Sequence, residues 1–372
     1  MRVFVNEPRL DGNEKKYLDE CIDTGWISFE GPFVKRFEKG MADLVGRKYA
    51  VAVSSGSAAL ETAVLALELK KGDEVIMPTF TIISCALPLV RIGVKPVLVD
   101  ADPDTWNMDV DAIEKKITKN TKAIMAVHIY GLPVDMEPVL DLARKYGLYV
   151  IEDAAEMIGQ TYREKPCGSF GDISVFSFYP NKHITTGEGG MVLTDNERLA
   201  KRARSAINLF FGPKRYLHEE LGYNFRMTNL QAAVGCAQIE RIDDTLKKKR
   251  HIGRVYNELL HNAEVVRLPV VKTDYAENVY WVYGIVLDDS VGMDADKMMQ
   301  RLGEEGVGTR GFFWGMHEQP VFQKMRLFDG EQYPIAEKLA RRGLYLPSGL
   351  TLDDREQEYV AEKVQKVLRE VQ

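Results

Sequence analysis

Short apolar segments alternate with longer amphipathic segments between residues 45 and 195. Helical periodicity appears at residues 58–69, 111–117 and 136–146. The apolar runs, most of them rich in Val and Ile, lie at residues 49–54, 74–78, 96–100, 123–128, 148–153 and 173–178. Strands this apolar, separated by helices, are typical of a mainly parallel sheet covered on both faces. The pattern therefore predicts an α/β fold, with chemically active residues just after the strands.

The pattern becomes mainly helical from about residue 230. The helical pattern of residues 230–242 continues through the basic stretch 247–250 to residue 260. This predicts one long connecting helix with the basic run on a solvated face. An alternating strand at 280–286, a helix at 294–305 and an amphipathic helix at 353–371 follow. We predict a large α/β domain over residues 1–244 and a smaller α+β domain over residues 245–372.

Composition narrows the class of protein. The 372 residues carry a net charge of −6, which argues against a general nucleic-acid binder. We find no signal-peptide core at the N-terminus and no apolar run long enough to span a bilayer, so we expect no membrane association. The cysteines lie far apart, which predicts reduced thiols in a cytoplasmic protein rather than a disulfide or a metal site: Cys21, Cys85, Cys167 and Cys236.

Acidic residues close one predicted strand, and a lysine follows another. Asp153 ends the run at 148–153, where it could cap a helix or present a carboxylate at the functional edge of the sheet. Lys182 follows the run at 173–178 and precedes the glycine-rich segment 187–190. A surface position is the ordinary alternative for a lysine, but burial here would lower its pKa and suit it to form a Schiff base.

A turn of small residues at 54–60 joins a predicted strand to a helix. Its N–H groups could receive a phosphate, or the small residues could serve only as a helix cap. A lysine, a carboxylate and an anion seat together match the needs of pyridoxal 5'-phosphate (PLP). We therefore predict that Lys182 holds its aldehyde, that Asp153 holds its pyridine nitrogen, and that its phosphate lies at Ser55, Gly56, Ser57 and Ser177.

Motifs spread over most of the chain resemble one known family. They are GWIS at 25–28, SGSAAL at 55–60, GDEVI at 72–76, VHIYG at 127–131, EDAAE at 152–156, TGEGG at 186–190 and GYNFRMTN at 222–229. The chain resembles the DegT/DnrJ/EryC1/StrS nucleotide-sugar aminotransferases, which implies the aspartate-aminotransferase-like fold (PLP fold type I). The resemblance also implies that Glu156 lies near the phenolic oxygen of PLP. It further implies a homodimer in which Asn224 reaches the phosphate of the second subunit.

Residues 215–229, with Arg215, Tyr216 and His218, are similar to the perosamine synthases of this family. That similarity implies amination of C4 of a GDP-linked 4-keto-6-deoxy sugar with glutamate, as part of surface-polysaccharide (O-antigen) biosynthesis. Two positions depart from the family pattern: Ile82 replaces the usual aromatic residue over the cofactor ring, unless Phe80 covers that face, and Tyr-Pro-Asn precedes Lys182.

The remaining candidates for substrate contact are weaker. Arg226 and Arg310 could bind a diphosphate or a carboxylate, or could form structural ion pairs. Arg215 could hold the diphosphate, and Trp314 or His317 could face the sugar or the base. Alternatives to sugar amination are a PLP-dependent sugar dehydratase, a non-catalytic regulator of the same fold, and amination of a small phosphorylated ketone.

Overall fold

The computed structural model describes residues 1–214 and 216–370. The strands of this part of the chain are β1 (Tyr49–Val53), β2 (Glu74–Pro78), β3 (Lys95–Val99), β4 (Thr121–Val127), β5 (Tyr149–Asp153), β6 (Thr161–Tyr162), β7 (Lys165–Pro166), β8 (Ile173–Ser177), β9 (Gly190–Thr194), β10 (Val266–Arg267), β11 (Tyr283–Leu287), β12 (Arg310–Gly311) and β13 (Gly343–Leu346). The α-helices are α1 (Glu14–Thr24), α2 (Pro32–Val45), α3 (Gly56–Ala66), α4 (Leu87–Arg91), α5 (Met136–Tyr146), α6 (Glu197–Ala206), α7 (Asn229–Ile239), α8 (Ile242–Leu260), α9 (Ala295–Glu304), α10 (Pro320–Lys324), α11 (Pro334–Arg342) and α12 (Asp354–Arg369).

The larger sheet of the described chain has seven strands in the order β1-β9-β8-β5-β4-β2-β3. Its strands are parallel except for β9, which runs antiparallel to both β1 and β8. Every residue of β2 and of β9 is buried, because apolar cores cover both faces of the sheet. The predicted α/β fold with a mainly parallel sheet is confirmed.

A smaller antiparallel sheet, β10-β11-β13-β12, lies in the C-terminal part of the chain. Helices α8, α9 and α12 supply apolar residues to its core, and Val3 from the N-terminus packs into the same core. The predicted domain boundary at residues 244 and 245 would fall in the first turn of α8, and the two-domain division stays a prediction.

Two predicted helices differ from those observed. Residues 111–117 form two short 3₁₀ turns, since a segment this short, with β-branched Ile113 and Ile117, gains little from an α-helix. The long helix predicted over residues 230–260 is interrupted between α7 and α8. At the interruption, Glu240 accepts hydrogen bonds from Tyr17 Oη (2.6 Å) and Arg36 Nη2 (2.8 Å), which draw the chain towards α1 and α2.

The basic run at 247–250 is only partly solvated. The Lys247 side chain is 79% exposed, as predicted, but Lys249 is 1% exposed, so the solvated-face interpretation is wrong for Lys249. Successive helical residues point in different directions, and position 249 faces the C-terminal sheet. No helix in the described ranges is both long and apolar enough to cross a bilayer.

Candidate active site

A cavity of about 330 Å³ opens at the carboxyl ends of the parallel strands, where sheets of this type bind ligands. It brings together seven of the residues that the sequence predicts to hold PLP: Ser55, Gly56, Ser57, Asp153, Glu156, Ser177 and Lys182. The carboxyl ends of β1, β5 and β8 and the segments that follow them supply these residues, so their proximity follows from the strand order. The C-terminal part of the chain closes the other side with Trp281, Arg310, Phe313 and Tyr345.

The Lys182 amine lies between a carboxylate and an aromatic ring. Its Nζ atom is 3.5 Å from Oε1 of Glu156 and 3.6 Å from the centre of the Trp281 ring. Burial lowers the pKa of Lys182, although the charges of Glu156 and Asp153 oppose the shift. A lowered pKa increases the fraction of neutral amine, which is the nucleophilic form of a lysine side chain.

Glu156 is held by the backbone of an adjacent turn. Its Oε2 atom accepts a hydrogen bond from the Tyr130 N–H at 2.7 Å. Tyr130 has a positive φ of 55°, a conformation that side chains adopt only when their surroundings hold them there. Burial raises the pKa of Glu156 to about 7, while the neighbouring Lys182 favours the ionised form.

Asp153 ends β5 with its carboxylate buried in the floor of the cavity. Oδ1 accepts a hydrogen bond from Ala155 N at 3.0 Å, and Cys85 Sγ lies 3.4 Å from Oδ2. Burial raises the pKa of Asp153, whereas these hydrogen bonds and the Lys182 charge favour its ionised form. A buried carboxylate at this position suits a protonated ring nitrogen as its partner.

An anion seat lies where α3 begins. Ser55 caps this eleven-residue helix, with Oγ accepting a hydrogen bond from Ala58 N at 3.1 Å. A Cβ atom on Gly56 would lie 2.7 Å from Ser177 Cβ, so glycine allows this turn to approach the end of β8. Ser57 Oγ lies 2.8 Å from Ser84 Oγ. Free N–H groups at the helix start, with serine hydroxyls beside them, suit a phosphate.

The amine, the buried carboxylate and the anion seat all line the one cavity. These are the groups that PLP requires. The space for the phosphate depends on glycine at position 56, because a side chain there would fill it. The residues present therefore fit PLP.

Asn224 and Arg226 do not line this cavity in their own chain. Asn224 is exposed and pairs through its backbone with Asn208. The Arg226 guanidinium donates to the Asn208 side chain and lies 4.6 Å from the centre of the Phe29 ring. Arg215 lies outside the described residues.

Trp314 and His317 occupy different environments. Trp314 is half exposed and lines an apolar groove that shares Ile82 and Phe313 with the cavity. His317 is buried, with Nδ1 2.9 Å from Thr79 Oγ1 and Nε2 3.1 Å from Glu337 Oε1. Both of its ring nitrogens are therefore engaged by protein atoms, and His317 does not line the cavity among the described residues.

The position of the usual aromatic residue is occupied by an aliphatic one. Ile82 is 44% exposed and lines the cavity, whereas Phe80 is buried among Tyr130, Phe312 and Phe313. Phe80 is absent from the described cavity lining, so Ile82 is the side chain available there to cover a cofactor ring.

Trp281 is the main residue that sequence reasoning missed. Its ring faces Lys182, and its Nε1 donates to the carbonyl of Asn181 at 2.8 Å. It lies within the strand predicted over residues 280–286, where a tryptophan is equally compatible with ordinary core packing. Because Trp281 is far from Lys182 along the chain, no local sequence pattern indicates that the two residues meet.

One group of side chains has ligand types that metals use: His128, Glu152 and Cys167. Hydrogen bonds already engage the His128 ring and the Glu152 carboxylate. Val134 N donates to His128 Nδ1 at 3.0 Å, and His128 Nε2 lies 3.1 Å from Glu152 Oε1. Glu152 also accepts hydrogen bonds from the N–H groups of residues 168 and 170. The group is a buried hydrogen-bonded cluster beneath the cavity.

Comparisons with known proteins place the chain in one family. The profile of the DegT/DnrJ/EryC1/StrS aminotransferase family matches residues 8–365. The chain is 42% identical over 369 residues to a GDP-perosamine synthase of Caulobacter vibrioides, covering 99% of this chain and 98% of that protein. It is 40% identical over 363 residues to a GDP-perosamine synthase of Escherichia coli O157:H7, covering 97% of each. The aminotransferase TlmJ from Streptoalloteichus hindustanus has a TM-score of 0.92 at 28% identity, covering 99% of each chain.

The sheet topology, with a buried lysine at its carboxyl edge, defines an enzyme of the aspartate-aminotransferase-like class. More specifically, the chain belongs to the DegT/DnrJ/EryC1/StrS aminotransferase family. The predicted family and the predicted aminotransferase class are confirmed.

Proposed function

We propose that this enzyme uses PLP to transfer an amino group from glutamate to a nucleotide-linked 4-keto-6-deoxy sugar, as a GDP-perosamine synthase would. The observation that carries the proposal is the position of Lys182 Nζ, enclosed between Glu156 and Trp281 in a cavity that also contains Asp153 and the Ser177 hydroxyl. A buried amine beside two carboxylates is a costly arrangement that structural packing does not require.

Six residues would hold the cofactor. Lys182 would bind the PLP aldehyde covalently, Asp153 would pair with the pyridine nitrogen, and Glu156 would lie near the phenolic oxygen. Gly56, Ser57 and Ser177 would receive the phosphate at the start of α3. When bound, PLP supplies an electron sink that stabilises negative charge at the reacting carbon of the substrate.

The chain's own groups would then bind the ligands and move protons. Lys182 is suited to act as a base, because burial lowers its pKa, and to return the proton once it has accepted it. Asp153 would keep the proton on the ring nitrogen, since a negative carboxylate attracts the protonated nitrogen more strongly in a buried position than in water. Trp281 and Phe313 line the cavity and would exclude water from the amine.

The substrates would enter from the C-terminal side. Arg310 lines the cavity and is exposed, so its guanidinium is available at the rim for the carboxylate of glutamate or a diphosphate. The half-exposed Trp314 lies in the adjoining groove, where it offers an aromatic surface for the sugar or base. The two GDP-perosamine synthases described above favour a GDP-linked sugar aminated at C4.

A homodimer would complete each site with Asn224 of the second subunit. Asn224 is exposed and does not line the cavity of its own chain. Large apolar side chains are exposed in the neighbouring segments: Trp26, Ile27, Tyr216, Leu217 and Leu221. Leu221 is 95% exposed, and burial of these apolar side chains against a second subunit would be favourable. The cytoplasmic location stays a prediction.

The test is amination of a panel of nucleotide-linked keto-sugars, with glutamate as the donor and mass spectrometry of both products. We expect 2-oxoglutarate together with an amino sugar, and the fastest turnover with GDP-4-keto-6-deoxymannose. Loss of oxygen without gain of nitrogen would indicate a dehydratase. Amination of only dihydroxyacetone phosphate would indicate a small-ketone enzyme. A protein that binds no PLP would be a regulator of the same fold.

A further inference from the structure

Lys249 is a second buried amine behind the cavity. It lies in α8, and its Nζ donates to the carbonyls of Trp281 at 2.8 Å and Ser348 at 2.6 Å. No carboxylate within the described ranges shifts its pKa, which burial, together with the Lys182 charge, lowers to about 7. A fully buried lysine without an acidic partner is costly, so its position calls for a specific role.

The contacts of Lys249 lead directly to Lys182. The carbonyl that it binds belongs to Trp281, whose ring centre lies 3.6 Å from Lys182 Nζ. The indole N–H of the same residue donates to the Asn181 carbonyl at 2.8 Å. The backbone of Trp281 is thus fixed by Lys249 from one side, and its ring is fixed by the turn that carries Lys182 from the other.

The opposite face of the Trp281 backbone is closely packed. Gly131 has φ of +110°, and a Cβ atom there would lie 2.6 Å from Trp281 N. The Tyr130 ring is centred 5.9 Å from the Trp281 ring. These neighbours leave little space on the side of Trp281 away from Lys249. If the Lys249 hydrogen bond were lost, we therefore expect the Trp281 backbone to shift on the side of its carbonyl group.

We propose that Lys249 is a positioning residue for Lys182, acting by fixing the Trp281 backbone and so the ring that faces the reactive amine. This inference rests on the proposed function, in which Lys182 is the covalent attachment site of PLP. A purely structural role, in which Lys249 only joins α8 to the turns before β11 and after β13, would leave the reactivity of Lys182 unchanged in a folded variant.

The test compares Lys249→Met with Lys247→Met, the same change on the exposed side of the same helix. Apoprotein is titrated with PLP and reduced with borohydride, and the modified peptide containing Lys182 is quantified by mass spectrometry. We expect Lys249→Met to weaken capture by about tenfold or more, as removal of residues that orient a site commonly does, and Lys247→Met to match the unmodified chain. Thermal unfolding is followed in parallel to show that each variant is folded.

A double-mutant cycle with Trp281→Leu tests the route of the effect. If Lys249 acts through Trp281, Lys249→Met should change capture less than about twofold in the Trp281→Leu background. Should Lys249→Met fail to fold, Lys249→Gln, which keeps two N–H donors, replaces it, and we expect intermediate capture. Undiminished capture in folded Lys249 variants, or independent effects of the two changes, would overturn the inference. Failure of the unmodified chain to capture PLP at Lys182 would instead overturn the proposed function.

Discussion

The thiol of Cys85 donates a hydrogen bond to the carboxylate of Asp153, with 3.4 Å between Sγ and Oδ2. Burial raises the pKa of this thiol well above its usual range, as does the nearby Asp153 charge, so the sulfur keeps its proton and remains a donor. The N–H of Ala155 donates to the other oxygen at 3.0 Å. The orientation of the carboxylate is therefore set by the protein before a ligand binds.

Asp153→Asn should separate cofactor capture from turnover. The amide oxygen can still accept hydrogen bonds, but a neutral amide cannot hold a proton on the ring nitrogen of PLP. We expect kcat to fall by about 100-fold or more, while borohydride still traps PLP on Lys182. The control is Asp141→Asn, on the exposed face of α5, which should leave both measurements unchanged. Near-normal kcat in Asp153→Asn would contradict the assignment.

Lys182→Ala should abolish turnover and all covalent attachment of PLP, because no other described lysine lines the cavity. The matched change Lys201→Ala, at an exposed lysine of α6, should alter neither. Attachment is measured by borohydride trapping and peptide mapping, and turnover by 2-oxoglutarate release. An active Lys182→Ala variant would refute the central assignment.

Asn224→Asp and Lys182→Ala should complement each other when mixed. Each homodimer is expected to be inactive, the first because a negative charge would face the phosphate. A mixed dimer contains one site with both native residues, so subunit exchange should restore about a quarter of the normal activity. The measurement is activity after mixing and re-equilibration. Absence of recovery, with exchange verified by native mass spectrometry, would show that Asn224 acts within its own chain or not at all.

His183 should make the protein less stable in mild acid. Burial lowers the pKa of His183 from 6.5 to about 3, since the ring is enclosed and near Lys249. The unfolded chain therefore binds a proton below pH 6.5 that the folded chain rejects, and stability is lost as the pH falls. At pH 5 the loss is about 2 kcal/mol relative to neutral pH. In His183→Asn, which keeps a donor for the Ile158 carbonyl, urea unfolding should show a correspondingly smaller decline. Equal declines in both proteins would contradict this prediction.

Ile82→Tyr should tighten PLP binding. Ile82 lines the cavity at the position where the family resemblance implies an aromatic residue, and a ring there would stack on the cofactor. We expect the Kd for PLP to fall by about two- to tenfold. Val321→Tyr, at an exposed position of α10, serves as the control. An unchanged or higher Kd for Ile82→Tyr would indicate that Ile82 does not cover the ring face.

The sequence predicted those site residues that lie at the ends of strands or just after them. Asp153 ends the apolar run that forms β5, and Lys182 follows the run that forms β8. Parallel strands bring such ends together without further information. Glu156 and Gly56 lie within a few residues of strand ends, so local patterns were sufficient for them as well.

Residues that reach the site from distant parts of the chain could not be predicted in this way. Trp281 meets Lys182 only because the C-terminal part packs over the sheet edge, a relationship that no local periodicity contains. Lys249 belongs to a run of four basic residues, and its burial depends on which side of α8 faces the smaller sheet. His317 was a candidate for substrate contact by its aromatic surroundings, whereas tertiary packing pairs it with Thr79 and Glu337.

The contribution of Trp281 and Tyr345 to the cavity wall has a consequence for biosynthesis of the enzyme. Asp153 and Lys182 leave the ribosome well before these two side chains are made. Until then the amine of Lys182 lacks the aromatic cover that Trp281 provides in the folded chain. We therefore expect stable attachment of PLP to Lys182 to begin only during or after synthesis of the last third of the chain.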